Sequence, residues 1–177
     1  MYRRLFIILT AVLLSNCAST GHKQSLSDKM YYDAYIYLYN NDYTTSIELL
    51  SDLLALDQSY TQAYILRAYA YEQENLLDTA RQDLLSAEAI DPNNHVIHYN
   101  LGNVYVRLKD YEKAKEQYTI SISMNKKHQF SYLNRASVYI TLHKWKEALA
   151  DYKVYITLSD DQKDTILKVI SILENLD

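Results

Sequence analysis

Asn100-Leu-Gly-Asn-Val-Tyr105 and Asn134-Arg-Ala-Ser-Val-Tyr139 are two versions of one six-residue phrase, and they stand 34 residues apart. Stepping back by the same interval from Tyr105 reaches Tyr71 and then Tyr37, so Tyr37, Tyr71, Tyr105 and Tyr139 occupy one equivalent position. Nine residues after each comes a small side chain: Ser46, Ala80, Ala114 and Ala148. Four further on stand Leu50, Leu84, Tyr118 and Tyr152. A spacing of four puts these two columns on one helical face. The small residues let two helices approach closely, and the large ones fill the seam beside them. A fixed period of this length marks a repeat architecture, in which no unit buries its apolar face alone.

The second amphipathic run of each unit opens at Asp42-Tyr43, Leu76-Leu77-Asp78, Asp110-Tyr111 and Lys144-Trp145. Acidic side chains there suit a helix N-terminus, where they meet unpaired N–H groups and the positive end of the dipole. The units are then 27–60, 61–94, 95–128 and 129–162. Each is expected to be a helix of roughly 13 residues, a tight turn and a second helix. Composition agrees with an all-α chain, since 177 residues contain only two Gly and one Pro, the residues that interrupt elements. That scarcity favours long helices joined by short polar connections. A hydrophobic fraction of 49% is ample for a core. Beyond residue 162, Ile166, Val169, Ile170 and Leu173 share one helical face, while Asp164, Lys168, Ser171 and Asn175 share the other. A helix over 163–177 reads as a cap on the fourth unit, with a dimerisation surface as the alternative.

These columns resemble the tetratricopeptide repeat family. The third unit carries its pattern in Leu101, Gly102, Tyr105, Ala114 and Tyr118, and the second in Ala68, Tyr71, Ala80, Leu84, Ala87 and Pro92. The first and fourth units depart from it, with Ser46 at the alanine position of the first and Gln58 and Asp160 where the closing proline belongs. Terminal repeats diverge because they cap the stack. The resemblance implies a right-handed solenoid of four antiparallel helix pairs plus a C-terminal capping helix.

Residues 1–16 read as an export signal: Arg3 and Arg4 precede an apolar stretch from Leu5 to Leu14, and ten residues cannot span a bilayer, which needs roughly 20 in a helix. Leu14-Ser15-Asn16-Cys17 resembles the lipobox of bacterial lipoproteins, which implies cleavage before Cys17 and a diacylglycerol on its thiol. Asn16 departs from the usual Gly, Ala or Ser. The other reading of Cys17 is a free thiol in a leader cleaved elsewhere or retained as an anchor. A single cysteine excludes any intrachain disulfide. Residues 17–26 form the lipidated end and a polar tether, and the residue after the cysteine, Ala18, resembles the outer-membrane sorting pattern. Loss of the leader leaves 16 basic against 22 acidic residues, a net charge of −6. Nucleic acid is thereby disfavoured as a partner, because its binding rests on a basic surface.

Most of the 19 tyrosines fall in packing columns, among them Tyr37, Tyr43, Tyr71, Tyr105, Tyr111, Tyr118, Tyr139 and Tyr152. The resemblance implies that first helices line a concave groove. Carrying its groove positions across gives Tyr31, Tyr35, Tyr39, Tyr69, Tyr99, Asn100, Asn103, Arg107 and Asn134, with Phe130 and Ser137 following. Tyr31, Tyr35 and Tyr39 recur every four residues as an aromatic stripe, suited to gripping an extended peptide or helix, with a packing role under the tether as the alternative. The clamp that some family members use for the carboxylate of a chaperone tail is missing, since its positions hold Tyr31, Tyr35, Leu66, Val96 and Asn100. His95 and His98, three apart, with His128 near the next turn, are a weak metal pattern without a completing acidic or cysteine cluster. No nucleophile elbow, phosphate loop or metalloprotease motif occurs. The expectation is a protein that is not an enzyme and holds neither cofactor nor metal. It is a lipid-anchored scaffold on the periplasmic side of a bacterial membrane, serving an envelope complex of the pilus, secretion or outer-membrane assembly type. An adaptor for a cell-wall hydrolase is the alternative, and an enzyme or metal-binding protein the third. Oligomeric state and partner are open.

Overall fold

The computed structural model describes residues 26–175; the export leader, Cys17 and the tether as far as residue 25 lie outside the described residues. These form helix α1 (residues 26–39), α2 (Tyr43–Leu56), α3 (Thr61–Gln73), α4 (Leu77–Ile90), α5 (His95–Arg107), α6 (Tyr111–Met124), α7 (Gln129–Thr141), α8 (Trp145–Leu158) and α9 (Lys163–Leu173). Eight of them make four helix pairs stacked into a solenoid, and α9 packs on the last pair. Leu26, read as the end of the tether, is the first residue of α1.

Each pair turns on one residue with a left-handed backbone: Asn41, Asn75, Lys109 and His143, at φ of 61, 62, 62 and 57°. The N–H that follows closes onto the carbonyl of the repeated tyrosine, from Asp42 to Tyr37 (2.9 Å), Leu76 to Tyr71 (2.8 Å), Asp110 to Tyr105 (2.9 Å) and Lys144 to Tyr139 (2.9 Å). Glycine usually takes this C-terminal position because it has no Cβ to clash. Here Asn, Lys and His take it, so the chain is poor in glycine while its repeat helices run to an ordinary 13 or 14 residues. Asp42 and Asp110 then cap the second helices, accepting from the N–H of Thr45 (3.1 Å) and Lys113 (3.2 Å).

The seam is built from the two columns of the repeat. Ser46, Ala80, Ala114 and Ala148 are fully inaccessible, and Leu50, Leu84, Tyr118 and Tyr152 are buried on the same face. In the third pair the approach is close enough that a Cβ on Gly102 would lie 2.6 Å from Cδ1 of the Tyr118 ring.

A longer period overlies the 34-residue one. Arg67 donates from Nε and Nη2 to both carboxylate oxygens of Asp83 (2.7 and 2.8 Å) and from Nη1 to the Ser51 hydroxyl (2.9 Å). Arg135 repeats this toward Asp151 (2.7 and 2.8 Å) and Thr119 (2.9 Å). Each guanidinium thus links a first helix to its own second helix and to that of the preceding pair. It also lies over two tyrosines: Tyr64 and Tyr71 for Arg67, Tyr132 and Tyr139 for Arg135, at 5.7–5.8 Å from the ring centres. The first pair has Asp33 at this place. Tyr37, expected to pack like its equivalents, is exposed.

In α9, Ile166, Ile170 and Leu173 are buried against Ala136, Ala148, Tyr152 and Tyr155, so the helix covers the end of the stack. Its outer face is less polar than its sequence pattern implied, since Leu167 and Ile172 are exposed there. Among the described residues no helix is long and apolar enough to cross a membrane.

Candidate binding groove

The first helices of successive pairs lie side by side, α3 against α5 and α5 against α7. Two hollows run along their shared face. One, of about 360 Å³, is lined by Tyr31 of α1, Gln62, Ile65, Leu66 and Tyr69 of α3, Asn94 at the turn before α5, and Val96 and Asn100 of α5. The other, of about 320 Å³, is lined by Glu72, Asn103, Val106, Arg107, Tyr111, Tyr118, Asn134, Ser137, Val138 and Thr141. Glu72 and Arg107 are the only charged residues lining either hollow, and they pair at 3.5 Å. The surface is therefore made of aromatic rings, aliphatic side chains and amides, with almost no net charge.

Of the residues expected in the groove, Tyr31, Tyr69 and Asn100 line the first hollow, and Asn103, Arg107 and Asn134 the second. Several already have internal work. Asn103 Oδ1 accepts both the Tyr118 hydroxyl (2.7 Å) and the Asn134 amide (2.9 Å), locking the third and fourth repeats together across the floor. Burial raises the Tyr118 hydroxyl pKa above its ordinary value, so that hydroxyl stays a donor. Arg107 donates to the backbone carbonyl of Glu72 and to Asn75 Oδ1 (3.1 Å), placing positive charge at the C-terminal end of α3, where the dipole favours it. Burial raises the Glu72 carboxyl pKa, with Arg107 working against that rise. Tyr99 packs beside Tyr118 and edge-on to His128 at 4.9 Å between ring centres.

The aromatic stripe on α1 divides. Tyr31 is half-buried with its ring 5.6 Å from that of Tyr60, whose hydroxyl donates to Asp28 at 2.8 Å. Tyr35 and Tyr39 are exposed, as are Tyr69 and Phe130. The groove-lining residues that sequence reasoning did not place there are Gln62, Ile65, Glu72, Val106, Val138 and Thr141 on first helices, with Asn94 in the turn before α5 and Tyr111 at the start of α6. Their repeat positions were the available signal.

The histidines do not converge as one cluster. His98 Nδ1 meets Gln117 Oε1 at 2.9 Å, whereas His95 Nε2 accepts from the Asn125 amide (3.0 Å) and its ring lies 4.8 Å from that of His128. Ser121 donates to the His95 carbonyl, so it must accept from Ser131, which in turn accepts from His128 Nδ1 at 2.7 Å. That order fixes the His128 proton on Nδ1. Burial, then the neighbouring His95, lower the His128 pKa. Among the described residues no three His, Cys, Asp or Glu side chains come together as a metal site.

Stacked helix pairs that present a face of first helices for contact define a repeat scaffold for binding other proteins. Tetratricopeptide repeat models match residues 34–95 and 95–128, together more than half of the chain. The chain belongs to the tetratricopeptide repeat family. No curated protein matches the sequence. Similar solved structures include PilF of Pseudomonas aeruginosa, with a TM-score of 0.77 at 18% identity over 85% of this chain and 68% of that one. MamA has a TM-score of 0.71 at 21% identity, over 78% of this chain and 81% of that one. YrrB, described as having an unusual peptide-binding site, has a TM-score of 0.68 at 16% identity, over 83% of this chain and 75% of that one. At these identities the likeness shows the fold.

Proposed function

We propose that this protein is held by a lipid on Cys17 at the periplasmic side of a bacterial membrane, the outer one in the first instance. There its first-helix groove binds an extended peptide or helix of a protein partner and so assists assembly or stability of an envelope complex. The observation that carries the groove reading is its chemistry: two hollows on the first-helix face, made of aromatic, aliphatic and amide side chains, whose only charged residues, Glu72 and Arg107, pair with each other. Such a surface suits a peptide that presents apolar side chains and backbone amides rather than an acidic tail. The peptide-binding site described for YrrB supports the mode of binding, and the lipobox-like Leu14-Ser15-Asn16-Cys17 supports the anchor.

The test is affinity purification of the intact protein from native membranes beside a Tyr69→Ala, Asn100→Ala variant whose melting curve shows that it folds. One partner enriched with the intact protein and missing from the variant is the expected result. The same partner retained by both would place binding outside the groove. Mass measurement of the same preparation is expected to show a chain beginning at Cys17 with a diacylglycerol on its sulfur, and an unmodified thiol would remove the anchor.

A further inference from the structure

Charge is spread unevenly along the stack. Residues 27–94, the first two repeats, hold 12 acidic and 3 basic side chains, whereas residues 95–162 hold 7 acidic and 10 basic. The first half therefore stands at −9 and the second at +3. A groove that passes both halves meets a different potential at each end, which sets the sense in which a charged occupant lies in it.

The difference reaches the groove at the edge where the first helices begin. A recess of about 480 Å³ opens there, lined by Asp28, Tyr31 and Tyr32 of α1 and by Asp57, Ser59 and Tyr60 of the turn before α3. It shares Tyr31 and Gln62 with the first hollow, so the two meet at those side chains. The Tyr32 ring stands edge-on to that of Tyr31 at 5.9 Å between centres, and Tyr32 is 66% accessible. Among the described residues no basic side chain lines the recess. Both carboxylates also serve the fold: Asp28 accepts the Tyr60 hydroxyl, and Asp57 accepts from the N–H (3.1 Å) and the hydroxyl (2.7 Å) of Ser59. A helix start does not by itself call for this charge, because the equivalent places later in the stack are filled differently. Asp28 corresponds to Gln62, Val96 and Phe130. Asp57 with Ser59 corresponds to Asp91 with Asn93, and then to Asn125 with Lys127. One edge of the groove thus passes from two acids to one and then to a lysine. Carboxylates beside open tyrosine faces suit a cation, since the ring quadrupole and the negative charge both favour an ammonium or guanidinium whose stem lies along the rings.

With the first-helix groove taken as the binding site, as proposed above, we infer that its occupant is a partner's peptide carrying a lysine or arginine beside an apolar run. The cation enters the recess of Asp28, Tyr32 and Asp57, and the apolar side chains lie over Ile65, Leu66 and Tyr69. Neighbouring helices pack about 8–10 Å apart, a span of two or three residues of extended chain at roughly 3.3 Å each. The basic residue is therefore about two or three positions from the apolar ones, always on the same side. Lys127, at the equivalent edge of the third repeat, opposes the reversed orientation.

The test is selection from a random decapeptide display library by the full-length protein in detergent micelles. Three variants are run beside it: Asp28→Asn with Asp57→Asn, Tyr32→Ala, and Tyr69→Ala with Asn100→Ala. The two amides keep acceptors for Tyr60 and Ser59, and Tyr32 is exposed, so neither recess variant disturbs the core; melting curves verify that each folds. The expected peptides carry Lys or Arg at that spacing from an apolar pair, on one constant side. The amide variant keeps the apolar preference and loses the basic one. Its affinity for a selected peptide falls at least about fivefold, as does that of Tyr32→Ala. Apolar peptides selected with no basic residue, with an acidic one, or with a basic one on either side alike overturn the inference and leave the groove standing. A basic preference that survives in the amide variant overturns it as well. If nothing is enriched over an unrelated protein, or the Tyr69→Ala, Asn100→Ala variant selects the same peptides as the intact protein, the groove itself falls and this occupant with it.

Discussion

Replacing Gly102 by alanine tests how the groove floor is made. The added methyl would lie 2.6 Å from Cδ1 and 2.8 Å from Cζ of Tyr118, a ring that is 1% accessible and held by its bond to Asn103. The ring must move. Overpacking of this kind costs about 1–3 kcal/mol, and losing the Tyr118–Asn103 hydrogen bond adds about 1 kcal/mol. Against this, alanine favours the helix over glycine by about 1 kcal/mol. The net expectation is a loss of about 1–3 kcal/mol. The second repeat shows how to remove the conflict, for it pairs Ala68 with Leu84 at these two positions. In a Tyr118→Leu background, Gly102→Ala should therefore change sign and stabilise by up to about 1 kcal/mol. Urea denaturation of the four proteins gives the double-mutant cycle, with a coupling of about 2 kcal/mol expected. The fourth repeat sets the limit of the effect, since it joins Ala136 to Tyr152, whose hydroxyl lies 3.4 Å from Ser137 instead of on an asparagine. An equal effect of Gly102→Ala in both backgrounds would refute the reasoning.

Arg135→Ala leaves Asp151 buried without its bidentate partner and is expected to cost about 3 kcal/mol in chemical denaturation, whereas Arg135→Leu with Asp151→Leu should recover most of that loss. Lys109→Gly and His143→Gly relieve left-handed backbones and should each raise stability by roughly 0.5–1 kcal/mol; lower melting temperatures would contradict the turn assignment. Because burial and His95 lower the His128 pKa in the fold, the unfolded chain binds that proton more readily. The resulting contribution is fully present above the unfolded value of about 6.5 and is lost as pH falls through the lower folded value. Stability measured against pH should therefore drop below about pH 6.5, and His128→Gln should flatten that part of the curve. A curve unchanged by the substitution would assign the drop to other groups.

Much of the architecture could be read from single columns of residues, because close packing of two helices leaves few options for the side chain between them. Ser46, Ala80, Ala114 and Ala148 announce the seam by their size alone. Arg67 with Asp83 and Arg135 with Asp151 were equally visible as a 68-residue period, yet a search tuned to the shorter interval passes over it. The groove was legible only as a set of positions. Sequence placed Asn103, Arg107 and Asn134 among residues free for a partner, and nothing in their identity tells that they already hold neighbouring repeats together.

By itself the sequence determined the helical class, the repeat and its family, since these follow from periodicity and side-chain volume along the chain. The tertiary structure decided which repeated positions are equivalent in environment. Tyr37 and Tyr139 share a register, but one lies bare beside Asp33 and the other lies beneath Arg135. Ile36 and Val138 also share one, yet only Val138 has a preceding pair to bury it. The physical reason is that burial depends on what stands next in space. In a stack of finite length, the first and last units lack a neighbour that the repeat pattern cannot report.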